Sequence, residues 1–314
     1  MQWTGRDWAR RPRLPEVPLV GVVVVAYHSA VSIAACVRSC VADPAVAALV
    51  VVDNAADAVT ARAVRSVADD RVGYLASANR GFAAGCNVGA AALPASVEWL
   101  AFVNPDVELE RGLGELVGMP VVARACVVGA HVESPRSPGV PSARRGVTIR
   151  RELAKAVVGS RAYALKPLGD KPVRVEQVSG ALLLVRRRDF ARLNGFDERF
   201  ELYYEDVDLC ARAAALGGCV FVPRQWGRHV GGASAAAAAG PAYVAGRLSR
   251  MRYLRKHAAG PFTSAALLAM AGLEAVVRTV ARGSEGDAAR VAALQAQWGE
   301  WRRPGSLRAL RPGT

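Results

Sequence analysis

The stretch that decides the fold is VPLVGVVVVAY, residues 17–27, a run of apolar and mostly β-branched residues near the start of the chain. Such a run is typical of a parallel strand that is covered on both faces. Shorter runs of the same kind follow at 48–52 and 99–103, each directly before polar residues. Together with the helical segments between them, these runs predict an α/β fold with a Rossmann-like, mostly parallel and doubly wound sheet.

Changes in pattern divide the chain into segments. We expect an N-terminal extension over 1–16 and a catalytic domain over 17–240. Within that domain, residues 135–172 lose the periodic pattern and carry many arginines, which predicts a long basic insertion. Residues 241–314 predict a C-terminal helical segment, with helices at roughly 242–257, 263–282 and 287–301.

The first of these C-terminal helices has two plausible environments. Its apolar residues Val244, Leu248, Met251 and Leu254 form one stripe, and basic residues crowd around it. A stripe of this kind either packs on a protein domain or lies in a membrane surface, with the basic side chains reaching the headgroups. No run of 18 apolar residues occurs in the sequence, so we expect no membrane-spanning helix.

Composition narrows the classes of partner. The chain has 314 residues, a formal net charge of +14 and 52% hydrophobic residues, which is enough for a substantial core. The positive excess suits phosphorylated substrates or an anionic membrane surface. Helix-turn-helix, zinc-finger and RNP-type patterns do not occur, so we expect no nucleic acid partner. Six cysteines without CxxC spacing predict buried free thiols, as in a reducing cytosol.

Polar residues follow two of the predicted strands at their carboxyl ends, where an open α/β sheet binds nucleotides. Asp53-Asn54 follows the second strand, and Asn104-Pro105-Asp106 follows the fourth. The Asp53 carboxylate can accept a hydrogen bond from a base or ribose. Asp106 can ligate Mg²⁺ or Mn²⁺ beside a diphosphate. The plain alternative for both motifs is a turn.

Three glycines, Gly81, Gly85 and Gly89, fall on one face of a predicted helix over 81–93 and indicate close packing on the sheet. The polar residues Asn79 and Asn87 would then lie beside phosphate or ribose. The spacing differs from the G-x-G-x-x-G fingerprint, so NAD is not indicated.

An acidic run over 196–208 ends in Glu205, Asp206 and Asp208 at the start of a predicted helix. Acids stabilise a helix N-terminus, but this density exceeds what one helix end needs, so a carboxylate here can act as the base for a hydroxyl group. His229 precedes a Gly/Ala-rich stretch and is a candidate metal ligand next to a hinge, although a lone histidine is more often structural.

In their order and spacing, these motifs resemble the family 2 glycosyltransferases with a GT-A fold. The likeness extends over about 20–234, and within the family it is strongest to bacterial rhamnosyltransferases that act on polyprenyl-diphosphate-linked GlcNAc in actinobacterial cell-wall assembly. The matching stretches are VVVVAYHS, VVVDNAAD, NRGFAAGCNVGA, FVNPDVEL, VSGALLLVRRRDF, GFDERFELYYEDVDLCAR and HVGGAS.

The resemblance implies an inverting transferase that uses dTDP-L-rhamnose, a lipid-diphosphate-linked GlcNAc acceptor and Mg²⁺ or Mn²⁺. It also implies a cytoplasmic enzyme held peripherally on the inner face of the plasma membrane, and it leaves a homodimer open. Carried over by position, it implies Asp206 as catalytic base, Tyr27, Asp53, Asn79, Gly81, Asn87 and Asn104 as donor-nucleotide residues, Gly180, Glu205 and Asp208 as acceptor residues, and Asp106 with His229 as the metal site. Asn104 stands where many relatives have aspartate.

Three alternatives stay open at this point. The same fold can use a UDP-hexose or UDP-galactofuranose donor. A sugar nucleotidyltransferase would need a Gly-rich basic loop after the first strand, where this chain has His28-Ser29-Ala30. A non-catalytic sugar-nucleotide-binding module conflicts with the intact acids at Asp106 and Asp206.

Overall fold

The computed structural model describes residues 19–135, 138–165, 169–230, 239–258, 272 and 287–302. The predicted extension over 1–16, the predicted helix over 263–282 apart from residue 272, and the Gly/Ala stretch over 231–238 lie outside the described residues.

Strands and helices alternate through most of the described chain. The strands are β1 Val20–Ala26, β2 Val46–Asp53, β3 Val72–Ala76, β4 Trp99–Val103, β5 Val107–Leu109, β6 Val127–Glu133, β7 Ala143–Arg144, β8 Val173–Val175, β9 Gln177–Val178, β10 Leu182–Arg186 and β11 Cys219–His229. The helices are α1 Ile33–Val41, α2 Ala58–Arg65, α3 Phe82–Ala92, α4 Leu113–Val117, α5 Ile149–Val158, α6 Arg187–Arg192, α7 Glu205–Ala213, α8 Ala239–His257 and α9 Asp287–Arg302.

Among the described residues, nine strands form one sheet in the order β3-β2-β1-β4-β10-β6-β11-β5, with β8 also paired to β11. The pairs among β3, β2, β1 and β4 are all parallel, and β6 is parallel to β11. Strand β10 runs antiparallel to both of its neighbours. The mostly parallel α/β sheet expected from the sequence is confirmed, and the carboxyl ends of β1, β2, β4, β6 and β11 share one edge.

The core lies on both faces of this sheet. Val22 and Val24 of β1 join the cluster on one face, and Val23 and Val25 join the cluster on the other. Helix α3 packs so closely on β1 that a Cβ at Gly89 would lie 2.4 Å from Val23 Cγ1. This contact explains the glycine spacing. All six cysteines are buried and free, as expected from their apolar settings.

The structure corrects the prediction for residues 134–181. The expected irregular insertion over 135–172 contains regular structure, since β7 and α5 lie within it. The apolar stretch after it is divided into β9 and β10, with Ser179–Ala181 between them. Strand β11 extends over eleven residues to His229. Short strands such as β5 carry too few residues to show a periodic pattern.

Helix α8 packs against protein along its apolar stripe, so the stripe is not available to a membrane. Met251 and Leu254 pack with Phe200 and Val207, whereas Val244 and Leu248 pack with Ala296 of α9. Val244, Leu248, Met251 and Leu254 are each 3% exposed or less. The basic residues around the stripe have acidic partners: Arg250 pairs with Glu152 of α5, Arg252 with Glu300 of α9, and Lys256 with Asp197 and Asp208. Within the described ranges, no helix is both long and apolar enough to cross a membrane.

Candidate active site

Residues of three different strand ends meet at the carboxyl edge of the sheet. The register pairs Ala26 with Asp53 and Val24 with Val103, so the residues after β1, β2 and β4 lie side by side. Tyr27 follows β1 and is partly exposed at this edge. Asn104 follows β4, where its backbone N–H donates to the Ala181 carbonyl at 3.1 Å. The edge therefore has the position and the polarity of a nucleotide site.

Asp106 and His229 lie together at this edge, as predicted. Strand β5 pairs antiparallel with the end of β11, which places His229 opposite Val107. His229 Nδ1 lies 3.3 Å from Asp106 Oδ1, and the Val230 N–H donates to the Asp106 carbonyl at 2.9 Å. Both side chains keep about a fifth of their surface exposed, at 20% and 24%.

A carboxylate oxygen beside an imidazole nitrogen is a donor set that suits Mn²⁺ or Mg²⁺. Among the described residues, no third His, Cys, Asp or Glu completes a cluster around this pair. A cation held by Asp106 and His229 would keep its other coordination positions open for phosphate oxygens and water.

Asp206 lies in the first turn of α7, next to Gly180, which precedes β10. Its Oδ2 accepts the Gly180 N–H at 2.8 Å, and its Oδ1 accepts the Val207 N–H at 2.8 Å. Burial raises the pKa of the Asp206 carboxyl, and the two backbone N–H groups and the Arg144 charge offset only part of this rise. A carboxylate that is held in one orientation and has a raised pKa is suited to accept a proton.

The backbone before α7 is in an uncommon conformation. Tyr203 and Tyr204 both have positive φ, at 65° and 69°, which costs free energy for residues with a Cβ. These two residues turn the chain sharply from the loop after α6 into α7, and Asp206 then falls in the first turn of the helix. The turn is what brings Asp206 against Gly180.

Two protein families match successive parts of the chain. Residues 21–147 match the protein family described as "Glycosyl transferase family 2", and residues 166–231 match "N-terminal domain of galactosyltransferase". Residues 21–147 are thus similar to a family 2 glycosyltransferase domain. Asp53 and Asp106 lie within the first match, while Asp206 and His229 lie within the second.

Curated relatives match part of the chain. It is 34% identical over 166 residues to the N-acetylglucosaminyl-diphospho-decaprenol L-rhamnosyltransferase of Mycobacterium tuberculosis, an alignment that covers 48% of this chain and 53% of the relative. A 43-residue stretch is 46% identical to rhamnosyltransferase WbbL of Escherichia coli and covers 14% of this chain and 16% of that protein. The chain thus matches about half the length of the mycobacterial relative.

Solved structures share the fold of the family 2 domain. The mannosyltransferase PcManGT of Pyrobaculum calidifontis, in complex with GDP-Man and Mn²⁺, superposes with a TM-score of 0.55 at 17% identity and covers 95% of this chain and 91% of that chain. GalNAc-T7 with UDP, GalNAc and Mn²⁺ has a TM-score of 0.50 at 14% identity and covers 68% of this chain and 44% of that chain. The α/β architecture is therefore the GT-A fold.

The Asp53 side chain stabilises the loop that follows β2. The residue is fully buried, and its carboxylate accepts hydrogen bonds from the Ala55 and Asp57 N–H groups and from the Tyr74 hydroxyl at 2.8 Å. Three internal donors occupy both oxygens. Contact between Asp53 and a donor base stays a prediction, and the structure adds a role in fixing the edge of the site.

The turn at Asn79 and Gly81 connects the two halves of the site. Asn79 Oδ1 accepts the Gly81 N–H at 3.1 Å, and Asn54 Nδ2 donates to the Gly81 carbonyl at 3.1 Å. Gly81 has φ of 99°, and a Cβ there would lie 2.5 Å from the Glu201 carbonyl oxygen. The donor-side turn therefore packs directly on the loop that leads to Asp206. The sequence motif alone did not reveal the part played by Asn54 and Glu201.

Asn87 is not a donor-site residue. Its side-chain amide donates to the Phe196 carbonyl at 2.9 Å and to Glu198 at 3.1 Å, while its oxygen accepts the Phe196 N–H at 2.9 Å. Both ends of the amide are used to attach α3 to the loop after α6. Neither end of the Asn87 amide is therefore left to bind the donor.

Glu205 is also placed differently from the prediction. Its side chain is 6% exposed, and its Oε2 makes no hydrogen bond within the described residues. Burial, reinforced by the negative charge of Asp206, raises the pKa of the Glu205 carboxyl well above its ordinary value. A buried carboxyl with a raised pKa is poorly placed to meet an acceptor from solvent, so contact between Glu205 and the acceptor stays a prediction.

Asp208 is a structural anchor and not an acceptor-binding residue. It is fully buried, its Oδ1 accepts His257 Nε2 at 2.7 Å and Lys256 Nζ at 2.6 Å, and its Oδ2 accepts Arg212 Nε at 2.7 Å. Burial raises the pKa of this carboxyl, but its three cationic neighbours outweigh burial and lower the pKa. The anchor attaches the end of α8 to α7. Nothing in the sequence around His257 indicated this contact.

Proposed function

We propose that the protein is an inverting glycosyltransferase that moves L-rhamnose from dTDP-L-rhamnose onto a lipid-linked GlcNAc diphosphate. The observation that supports this best is the separation of two functions at one sheet edge. Asp106 and His229 lie 3.3 Å apart, where they would hold a cation, and Asp206 is a separate, oriented carboxylate with a raised pKa. The choice of donor and acceptor is supported by the printed activity of the mycobacterial relative.

In the proposed mechanism, Asp206 takes the proton of the attacking acceptor hydroxyl. The acceptor oxygen forms a bond to the anomeric carbon, and the bond from that carbon to the donor phosphate breaks on the opposite face. The leaving nucleoside diphosphate takes the electron pair of the broken bond. A divalent cation, Mg²⁺ or Mn²⁺, would supply positive charge to the departing diphosphate. Asp106 and His229 would hold that cation, and two structural neighbours of the same fold were solved with Mn²⁺.

Other residues at the carboxyl edge of the sheet would position the donor and the acceptor. Tyr27 and Asn104 flank the ends of β1 and β4 where the nucleotide would lie, and Asn79 with Gly81 forms the turn beside it. Gly180 donates its N–H to Asp206 and holds the carboxylate in place. We propose these five residues for the donor and acceptor surfaces.

We further propose that the enzyme acts peripherally at the cytoplasmic face of the plasma membrane. A water-soluble nucleotide donor and a lipid-anchored acceptor meet at such a surface, and the net charge of +14 favours anionic headgroups. Because helix α8 is packed against protein, this surface has to be formed by other parts of the chain.

A panel of sugar nucleotides with a short-chain polyprenyl-diphospho-GlcNAc acceptor tests the proposal, with products identified by mass. We expect transfer of deoxyhexose from dTDP-rhamnose. Asp206→Asn should lower turnover by roughly 10²–10⁴-fold, because general-base catalysis contributes about this much, while the affinity for nucleoside diphosphate stays near the wild-type value.

The matched control is Glu98→Gln, which changes an exposed acid directly before β4, at the opposite edge of the sheet. This variant should retain wild-type turnover. Wild-type turnover in Asp206→Asn would remove this residue from the mechanism. A panel that yields no glycosylated product with any donor would refute the proposed activity.

A further inference from the structure

The segment between β6 and β10 is built against the proposed base. Strand β7 pairs antiparallel with β9, so that Ala143 lies opposite Val178 and Arg144 lies opposite Gln177. The pairing continues beyond the strands, because the Ser179 N–H donates to the Ser142 carbonyl at 2.9 Å. The next residue, Gly180, is the one that binds the Asp206 carboxylate.

Arg144 extends from this ribbon with its charge uncompensated. Successive residues of a strand point to opposite faces. Ala143 is 4% exposed and packs in the core with Val178, whereas Arg144 is exposed. Among the described residues, the Arg144 side chain makes no hydrogen bond or ion pair.

Two other arginines, Arg151 and Arg250, have acidic partners. Arg151 pairs with Glu176, and Arg250 pairs with Glu152. The charge of Arg144 nevertheless reaches Asp206, since it lowers the pKa of that carboxyl against the effect of burial. The result is an exposed guanidinium, free of an acidic partner in the described chain, beside the group that accepts the acceptor's proton.

We infer that Arg144 binds the diphosphate of the acceptor. This inference rests on the proposed function, because it assumes that the acceptor is a sugar joined to a lipid through a diphosphate. In such an acceptor the attacking hydroxyl and the first phosphate sit on the same sugar ring. When the hydroxyl reaches Asp206, an anionic phosphate comes within about one sugar ring of a carboxylate. A planar guanidinium at this distance compensates the added negative charge and binds phosphate oxygens with two N–H groups.

The donor diphosphate has its own compensation at Asp106 and His229, where a cation is proposed. Arg144 lies on the β7–β9 ribbon, which leads directly to Gly180 and the proposed base. The donor diphosphate and the acceptor diphosphate thus have separate partners. Through Arg144 the enzyme distinguishes a sugar diphospholipid from a neutral glycoside.

The test compares Arg144→Gln with the matched control Arg145→Gln on two acceptors that share one sugar. One is farnesyl-diphospho-GlcNAc, and the other is octyl GlcNAc, which has no phosphate. Arg145 is the adjacent exposed arginine, and its backbone N–H is bonded to the Tyr163 carbonyl. For the diphosphate acceptor, Arg144→Gln should raise KM by about 10- to 100-fold, the usual loss for a hydrogen bond between charged groups. Arg144→Lys should recover part of this loss.

The controls should separate a binding role from a structural one. With octyl GlcNAc, Arg144→Gln and the wild type should have similar KM values. Arg145→Gln should change KM by no more than about 2-fold for either acceptor, as for an ordinary surface substitution. If the enzyme transfers sugar but Arg144→Gln and Arg145→Gln have equal KM values for the diphosphate acceptor, the inference is overturned and the proposed function stays intact.

If the wild type transfers no sugar, the proposed function fails. A binding measurement then tests the anion site at Arg144 separately. Calorimetry with farnesyl diphosphate is done on protein whose donor site is filled with dTDP and Mg²⁺. Binding to the wild type and to Arg145→Gln, with a loss of about 10-fold or more in Arg144→Gln, would support the anion site by itself. No binding to the wild type, or equal binding to both variants, would refute it.

Discussion

The substitution Asp208→Asn tests most directly whether Asp208, among the acids at the start of α7, stabilises the fold or takes part in the reaction. The asparagine keeps the size of the side chain but removes the charge that Arg212, Lys256 and His257 share. Because this carboxylate is fully buried and three groups donate to it, the change leaves cations facing one another across the contact between α7 and α8. We expect the variant to lose stability and not chemistry.

The magnitude follows from burial. Removing one partner of a buried ion pair costs about 3–5 kcal/mol. The three partners keep 20–25% of their side-chain surface exposed, so water screens part of the remaining repulsion. The expected loss is therefore at the lower end, about 3 kcal/mol. This is a large share of the roughly 5–15 kcal/mol by which domains are stable.

The loss should depend on pH in a defined direction. The folded-state pKa of Asp208 is lowered, so the carboxylate contributes stability above its unfolded pKa of about 3.9. This contribution is lost as the pH falls through the lower folded-state value. The difference between the wild type and Asp208→Asn should thus be full at neutral pH and narrow below pH of about 4.

Urea unfolding followed by circular dichroism at pH 7 and at acid pH measures these free energies. Glu98→Gln is the matched control and should stay within about 0.5 kcal/mol of the wild type. A loss below about 1 kcal/mol in Asp208→Asn at pH 7 is typical of an exposed ion pair and would refute the reasoning. A loss of turnover without a loss of stability would return Asp208 to the catalytic site.

Three further predictions follow from the site. Chelation should abolish transfer and added Mn²⁺ should restore it, while Asp106→Ala and His229→Ala should each weaken the metal-dependent binding of dTDP in calorimetry; full activity in excess chelator would exclude the cation. The raised folded-state pKa of Glu205 means that stability falls as the pH rises above the unfolded value of about 4.3, so Glu205→Gln should flatten the dependence of the unfolding free energy on pH, and an unchanged slope would contradict this. Gly81→Ala should cost at least about 2 kcal/mol in urea unfolding, because it combines a positive φ with a Cβ 2.5 Å from the Glu201 carbonyl; a neutral effect would show that the two loops separate easily.

The sequence by itself determined the central sheet. Strand β4 begins and ends as predicted, and β1 lies within the run over 17–27. A strand that is buried on both faces needs an unbroken apolar run, which is visible in sequence because no other local structure of that length requires one. The glycines of α3 were equally informative, since a flat helix face has to pack on something.

Sequence reasoning assigned too many polar residues to the site. Asn87 and Asp208 stand close to Asn79 and Asp206 in sequence, in segments of the same composition. Whether such a side chain meets a ligand depends on what packs opposite it, and the partners Phe196 and His257 come from distant parts of the chain. The same applies to α8, whose apolar stripe suits a membrane or a protein surface equally well until the opposing surface is known.

Only the tertiary structure decided which of the predicted acids act together. Their own motifs marked Asp106 and His229 as separate candidates, each with a plain structural alternative, and only the family resemblance paired them. The antiparallel pairing of the three-residue strand β5 with the last residues of β11 brings them within 3.3 Å. That pairing depends on the register between strands far apart in the chain, and a strand of three residues has too short a hydrophobic pattern to reveal its register. In the same way, two tyrosines with positive φ aim Asp206 at Gly180, and the folded surroundings stabilise this strained turn although the sequence before α7 does not favour it.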